Sequence, residues 1–541
     1  MEKKRTNIII TAVVLLVACL PLLTPNCISG HDMAYHLLRI EALKEGILHF
    51  RPFLRINMLF FGGQGYASSL FYPDMLLYFP ALLRALGVGI NLSYHLFLAL
   101  CIILVFVSAY FSAKYVTGSR YAALITAVII TLYQYHLDDI YVRAAVGEIC
   151  AAIFVPMVIA GLWDLLYKDM KHPWILFAGM SGVILSHTIT TILCLLICVI
   201  FVICGIKRFI SSPRLLLRPM LTALSVLAFT AFYWMGALEM LLSGAFASDS
   251  MFDLAYESVE PWYIATGKGM MMGAAVFILL IPRIFTGRKR PFGDLLMWTG
   301  LVLSVAATSL MPWARLQGVL GFLQFPWRIF MVTGPLLAFA AGMFVEDLGD
   351  TVKGEGTIKP VLMTAVCGIM IWSALSCYGN GELNYYSYSD DYFSYAPFTA
   401  EVIGGEWLPK EVTDREEACE SAGVAYTDTG RTLQVTRSAN ELAVSGIGPD
   451  EAYVDVPFIF YKGYEASSGT GGSLEVSSGG KNGRVRVYTR GEDEVRVFYG
   501  GTLIQHISDV ISLIFLLVCV AGAVIRSGII RRIFGKKPVS G

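Results

Sequence analysis

The chain has 541 residues, 56% of them hydrophobic and only 15% charged, with a mean hydropathy of +0.63. That is far more apolar than a soluble domain of this size requires, and it points to a polytopic membrane protein. Its 41 basic and 41 acidic side chains cancel, so net charge points to no partner, and with no long basic tract nucleic-acid binding has no support.

Apolar runs of about 17–25 residues can span a bilayer. Taken in chain order they predict twelve spans, near 7–26, 91–113, 120–136, 148–167, 173–187, 189–206, 219–239, 265–284, 293–311, 328–346, 359–377 and 505–526. Lys3-Lys4-Arg5 followed by Leu16-Val17-Ala18-Cys19 has the pattern of a lipoprotein signal. The apolar run continues through Leu20-Pro21-Leu22-Leu23, however, and a retained signal anchor is expected. Most of the eleven cysteines, including Cys101, Cys194, Cys198 and Cys519, lie in or beside apolar runs and suit packing rather than a disulfide framework or zinc site.

With the N-terminus inside, the cytoplasmic segments carry Lys114, Arg120, Lys168, Lys171, Lys207, Arg208, Arg214, Arg218, Arg283, Arg288-Lys289-Arg290, Lys353, Lys359 and the tail with Arg526, Arg531, Arg532, Lys536 and Lys537. Short outer loops after the first hold little beyond Arg143, Lys268 and Arg315, as the positive-inside rule expects. Both termini are therefore placed in the cytoplasm of a bacterial plasma membrane, with the active face outside.

Two segments break the alternation. The outer loop 27–90 contains a predicted amphipathic helix from Asp32 to Phe50, the turn-rich Phe61-Gly62-Gly63-Gln64-Gly65-Tyr66, and a second interfacial helix with Tyr78 and Arg84 after Phe71-Tyr72-Pro73. The stretch 378–504 alternates with period two, as in Ala452-Tyr453-Val454-Asp455-Val456 and Arg484-Val485-Arg486-Val487-Tyr488. Turns such as Gly479-Gly480-Lys481-Asn482-Gly483 separate these runs, which predicts an extracytoplasmic antiparallel β-sandwich. The expected architecture is thus an α-helical transmembrane domain over 1–377, a β-rich domain over 378–504, and a final span with a basic tail over 505–541.

Ionisable side chains gather at the predicted outer ends of spans, and such groups at membrane depth are functional-site hypotheses. Gly30-His31-Asp32-Met33-Ala34-Tyr35-His36-Leu37-Leu38-Arg39 places Asp32, His36 and Arg39 on one helical face with Tyr35 beside them. Arg143 with Glu148, Ser186-His187-Thr188 and Gln324-Phe325-Pro326-Trp327-Arg328 stand at other span ends. The set suits transfer from a lipid-linked phosphate to a hydroxyl. Asp32 is the candidate general base, while Arg39, Arg55 and Arg328 are candidates for the phosphate. His31, Tyr35, His36, Arg143, Glu148, His187 and Gln324 are candidate substrate contacts.

Plainer roles stand beside these. Asp32 can cap the helix it precedes, His187 can serve as a helix-end residue, and Arg39, Arg51, Arg55, Arg84 and Arg328 can anchor in lipid headgroups. Asp138-Asp139 reads as a solvated loop. His31 and His36, five apart, have poor spacing for a shared metal.

The pattern Gly30-His31-Asp32-x-x-Tyr35-His36-x-x-Arg39, with Tyr72-Pro73, Gly147-Glu148, Ser186-His187-Thr188 and Gln324-Phe325-Pro326-Trp327-Arg328, resembles the bacterial membrane family labelled "6-pyruvoyl-tetrahydropterin synthase related", itself similar to YfhO-type proteins. Gly405-Glu406-Trp407-Leu408-Pro409, Tyr461-Lys462-Gly463-Tyr464-Glu465 and Val497-Phe498-Tyr499-Gly500-Gly501 are similar to YfhO-type segments too. The resemblance implies a GT-C architecture, a polyprenyl-phosphate-linked sugar as donor, and Asp32 in the acidic position of the first outer loop. It implies no pterin chemistry, and no second acidic residue precedes Glu41 in that loop; a divalent metal stays open as an alternative to no cofactor. The expected function is a membrane glycosyltransferase acting on a cell-envelope glycan or glycolipid, with membrane lipids as neighbours. A non-catalytic transporter or flippase, or an envelope polymer-binding assembly protein, is the alternative.

Overall fold

The computed structural model describes residues 2–247, 252–266, 271–351, 358–380, 383–390, 405–438 and 441–527. Lys268, Lys353 and the basic tail beyond Ser527 lie outside the described residues. The chain is a polytopic helical membrane protein with a C-terminal β-rich domain. Its principal helices are α1 (Glu2–Ala18), α2 (Met33–Leu48), α3 (Ile90–Thr117), α4 (Arg120–Leu132), α5 (Val155–Tyr167), α6 (Trp174–Ile184), α7 (Thr188–Cys204), α8 (Leu217–Phe229), α9 (Ala231–Ser243), α10 (Pro291–Ala306), α11 (Phe330–Thr351), α12 (Ile358–Asn380) and α13 (Leu503–Ser527).

Five helical stretches are long and apolar enough to cross a membrane: Ile90–Thr117, Val146–Tyr167, Pro326–Thr351, Ile358–Gly379 and Leu503–Ile525. The pair Pro213–Phe229 and Ala231–Ser243 adds a sixth if counted as one span, bent by 73°. Shorter apolar helices overlap the remaining predicted spans. Local signals set the boundaries. Gly118, in the left-handed conformation at φ +72°, ends α3, and Ser119 accepts hydrogen bonds from the backbone N–H groups of Tyr121 and Ala122 to start α4.

Helix α11 is the buried axis of the bundle. Small residues let its neighbours approach: a Cβ on Gly334 would lie 2.4 Å from the Tyr133 ring, and one on Gly342 would lie 2.3 Å from the Thr126 hydroxyl. Helix α2 corrects one expectation. It is not an amphipathic helix lying in the interface, because His36 through Leu43 are all buried. His36, Arg39, Glu41 and Lys44 have polar partners within the protein rather than among lipid headgroups.

Strand β1 (Cys27–Ile28) pairs antiparallel with β2 (Tyr385–Tyr386), which ties the start of the first loop to the segment after α12. The remaining strands are β3 (Val424–Thr427), β4 (Thr432–Arg437), β5 (Glu441–Ser445), β6 (Tyr453–Ile459), β7 (Tyr464–Ser468), β8 (Ser473–Leu474), β9 (Val476–Ser477), β10 (Arg484–Tyr488) and β11 (Glu494–Tyr499). They form one hydrogen-bonded antiparallel sheet in the order β8-β7-β11-β5-β4-β3-β6-β10-β9.

Thr432 to Gln434 of β4 pair with β3, whereas Val435 to Arg437 pair with β5. A strand that changes partners halfway along makes a corner between two halves. Val454, Val456, Val485 and Val487 are buried in one half, and Leu442, Val444, Val495 and Val497 in the other.

The first loop lies against both domains. Arg437 donates to the Gly63 carbonyl at 2.7 Å, Ile459 N–H donates to the Gln64 carbonyl at 2.9 Å, and the Gln64 amide donates to the Ala418 carbonyl. Arg55 makes a two-pronged ion pair with Asp509 of α13 at 2.8 and 2.9 Å.

Candidate functional site

Asp32 sits where α2 meets the turn 139–144. Its backbone N–H donates to the Arg143 carbonyl at 2.8 Å, and that of His31 donates to the Val142 carbonyl at 3.1 Å. Gly30 makes this approach possible, since a Cβ there would meet the Ala144 Cβ at 2.6 Å. Residues Asp139–Arg143 form a π-helical turn that ends in Ala144 at φ +54°. A non-glycine residue held left-handed is the kind of strain that persists where the surroundings over-determine it.

The Asp32 side chain does not cap α2 and makes no hydrogen bond or ion pair among the described residues. The capping role is therefore not the one it plays. Burial pushes its carboxyl above the usual range, while the charges of Arg143 and Arg328 pull it back. It is an open carboxylate with two guanidinium groups as its electrostatic neighbours.

Those two arginines are held by Glu148. Its Oε1 accepts from Arg143 Nη1 at 2.8 Å and from Arg328 Nε at 3.1 Å, and its Oε2 accepts from the Tyr135 hydroxyl at 2.7 Å. Arg143 Nη1 also donates to Asp139 Oδ1 at 2.5 Å, and its guanidinium lies 4.5 Å from the Trp327 ring centre. Arg328 Nη1 donates to Gln324 Oε1 at 2.5 Å and to the Leu323 carbonyl at 3.1 Å. Arg328 is thereby fixed inside protein rather than free among headgroups. Nη2 of both arginines makes no hydrogen bond among the described residues. One face of the cluster is satisfied and the other can meet an anionic oxygen.

Asp138 and Asp139 correct a second expectation. They are 4% and 1% exposed, not a solvated loop. The π-turn folds Asp139 back onto Arg143, four residues on.

Arg39 is brought to the same region, where both of its Nη atoms are bonded and its buried Nε is left without a partner among the described residues. Its Nη2 donates to Asp74 Oδ1 at 2.5 Å and to the carbonyls of Pro73 and Tyr72 at 2.9 and 3.0 Å, and its Nη1 donates to His36 Nδ1 at 3.1 Å. His36 stacks on Tyr72 with ring centres 5.6 Å apart. Burial, followed by the positive charge of Arg39, holds His36 well below its ordinary value. A neutral ring that accepts at Nδ1 carries its proton on Nε2.

His187 behaves likewise: its Nδ1 accepts from the Thr190 N–H at 3.3 Å, which caps α7. His31 is exposed, Arg55 is committed to Asp509, and Arg84 is bonded to Glu41 at 2.5 Å and Asp390 at 2.8 Å.

Tyr72 links these parts. Its hydroxyl accepts from the Gly147 N–H at 3.1 Å, and its ring lies 5.9 Å from those of His187 and Trp407. A Cβ on Gly147 would fall 2.3 Å from the Tyr72 hydroxyl and 2.9 Å from His187. Gly147→Ala is therefore expected to push Tyr72 and His187 off the cluster and to destabilise the protein by about 1–3 kcal/mol, as overpacking does. Thermal unfolding of the purified variant checks this, and an unchanged midpoint would contradict it.

Glu406 was not anticipated as a member of the site. It enters on a turn of the β-rich domain that begins at Gly405, φ +61°, and is tied down by the Leu408 N–H to the Gly405 carbonyl (2.8 Å) and the Ala247 N–H to the Leu408 carbonyl (2.9 Å). Burial raises its carboxyl, Asp32 adds to the effect, and Arg328 opposes it. The sequence signal was Gly405-Glu406-Trp407-Leu408-Pro409 itself, but no spacing ties it to Asp32. Among the described residues no group of three or more His, Cys, Asp or Glu side chains is placed to hold a metal ion.

No family model matches the chain. It is 28% identical over 263 residues to an uncharacterized protein of Lactococcus lactis subsp. cremoris, a match covering 46% of this chain and 42% of that one. The chain thus spans less than half of that relative.

Among solved structures it is similar to the arabinofuranosyltransferase AftD from Mycobacteria, with a TM-score of 0.44 and 15% identity over 70% of this chain and 27% of that one. It is also similar to ArnT from Cupriavidus metallidurans, solved in the apo state (0.40; 13% identity; 78% and 81% covered). A third similar structure is the oligosaccharyltransferase AglB from Archaeoglobus fulgidus with an inhibitory peptide and a dolichol-phosphate (0.39; 12% identity; 70% and 55% covered). Likeness at this level leaves the function to be argued from the site.

Proposed function

We propose that the protein is a membrane glycosyltransferase that moves a sugar from a polyprenyl-phosphate donor to a hydroxyl of a cell-envelope glycan or glycolipid. One observation carries the reading: Asp32 is an unbonded carboxylate beside Arg143 and Arg328, whose Nη2 atoms stay open. Asp32 takes the proton of the acceptor hydroxyl as its oxygen attacks the anomeric carbon. The bond from that carbon to the phosphate oxygen breaks, and polyprenyl phosphate leaves carrying the electron pair. Arg143 and Arg328 stabilise the charge that grows on it. His36 and His187 offer Nε2–H donors, while Arg39 and Gln324 act through others, fixing His36 and Arg328.

In this reading the chain crosses the membrane twelve times. The crossings are the five long stretches, the bent pair as one, and all the shorter apolar helices except Met75–Ala85. The distribution of Lys and Arg supports cytoplasmic termini and an outer active face.

Purified protein in nanodiscs, given polyprenyl-phosphate-linked radiolabelled sugars and envelope extracts, is expected to release polyprenyl phosphate and glycosylated product in equal amounts. Movement of the intact lipid-linked sugar across the bilayer without cleavage would overturn the transferase reading.

The raised carboxyl of Asp32 gives a pH signature. Its charged form, the base, is lost as pH falls through the raised value, so the acid limb of kcat/KM is expected above the ordinary Asp value of about 3.9. An acid limb at or below that value would remove Asp32 as the base.

A further inference from the structure

Tyr35 and Glu406 are two polar groups at this site that the proposed chemistry does not use. The Tyr35 hydroxyl is fully buried and has no hydrogen-bond partner. Its ring packs on His36, Phe60 and Tyr72, with centres 5.0, 5.6 and 6.4 Å away, so it is held in place. A buried hydroxyl left without a partner is costly unless something else supplies one. Glu406 comes from the β-rich domain and lies within electrostatic reach of both Tyr35 and Asp32. Its carboxylate makes no hydrogen bond or ion pair to another side chain among the described residues.

The next residue, Trp407, is half-buried and rigidly mounted. Its N–H donates to the Tyr66 hydroxyl at 3.2 Å, its carbonyl accepts from Tyr461 at 3.0 Å, and its ring stacks on Phe71 at 5.8 Å. An orphan donor, a carboxylate that accepts only from its own backbone N–H and the edge of a fixed indole are what a polyhydroxylated ring requires. Its hydroxyls both donate and accept, and its C–H face is apolar.

We propose that Tyr35, Glu406 and Trp407 form the acceptor subsite, a carbohydrate-binding position that takes a pair of neighbouring sugar hydroxyls beside Asp32. Glu406 accepts from one hydroxyl, and Tyr35 donates to the oxygen of the other. The sugar is thereby held with a third hydroxyl free to face the base. The β-rich domain thus contributes a substrate-binding carboxylate to the membrane-domain site. This inference rests on the transferase reading for the identity of its ligand as acceptor, but the binding it asserts is separable.

The test uses the full chain in nanodiscs and two probes, a panel of methyl glycosides and undecaprenyl phosphate, each titrated separately. Wild-type protein is expected to bind at least one glycoside saturably. Glu406→Gln is expected to weaken that binding by about 10- to 100-fold, the value of a hydrogen bond to a charged group, with undecaprenyl phosphate affinity unchanged. Tyr35→Phe should lose about 3- to 10-fold in the same selective way, and Glu406→Asp should recover part of the loss.

Unchanged undecaprenyl phosphate affinity also shows that the variants are folded. If no glycoside binds while undecaprenyl phosphate does, the subsite is wrong and the donor reading stands. If glycosides bind selectively through Glu406 while undecaprenyl phosphate does not bind, the subsite stands and the donor reading fails. Equal losses for both probes, or none for either, overturn the subsite.

Discussion

Asp32→Asn is expected to lower sugar transfer by about 10²- to 10⁴-fold while leaving thermal unfolding unchanged or slightly improved. The Asp32 carboxylate caps no helix and pairs with no side chain among the described residues, so Asn removes no hydrogen bond or ion pair. Burial already penalises its charge, and a neutral amide escapes that cost. What is lost is the proton acceptor, together with an attraction to Arg143 and Arg328 that burial outweighs. A structural aspartate would give the opposite pattern, with reduced stability and activity falling in proportion. Glycan profiling of a deletion strain complemented with the variant, beside the melting curve of the purified protein, separates the two. Full activity in the variant would remove Asp32 from the chemistry.

Glu148→Gln is expected to show the reverse, with stability falling by about 3–5 kcal/mol, the cost of leaving a buried charge without its partner. Glu148 is 1% exposed and stands between Arg143 and Arg328 while also accepting from Tyr135. Gln keeps the shape but removes the charge that both guanidinium groups face. Adding Arg328→Met to Glu148→Gln should recover part of the loss, because one of the stranded charges is then gone. Denaturation of wild type, both single variants and the double variant measures the coupling. A cost below about 1 kcal/mol for Glu148→Gln would mean that water or another group compensates the arginines.

The helical part of this fold was readable because bilayer thickness fixes how long an apolar run must be. Five of the predicted spans fall on helices long and apolar enough to cross a membrane, a sixth falls on the bent pair, and the others overlap shorter apolar helices. The break between α8 and α9 at Thr230 and the separation of Ala274–Ile278 from Ile281–Phe285 were not readable. No proline or glycine marks the first, and Pro282 follows the second without showing that the helix stops before it.

At the site, the ionisable residues were visible one by one at the ends of apolar runs, but their partners were not. Glu148 meets Arg328 across 180 residues, and no periodicity reports that. Arg39 had every local mark of a phosphate ligand, but Asp74 and two carbonyls take its Nη2. Asp138-Asp139 read as solvated because two adjacent carboxylates usually are; a π-turn, which has no sequence period of its own, buried them. Glu406 escaped notice because its site partners come from another domain.

The pairing of Cys27 with Tyr386 and of Arg55 with Asp509, 454 residues later, has a consequence for biosynthesis. The first loop leaves the ribosome early, yet the groups that hold it arrive near the end of translation. Arg39 with Asp74 and Arg84 with Glu41 can pair within the loop itself, but these closing contacts wait for the late segments, and long-range closures of this kind form slowly. The contacts that hold the first loop therefore close last. A prematurely terminated chain lacks the strand and the carboxylate that fix this loop in place.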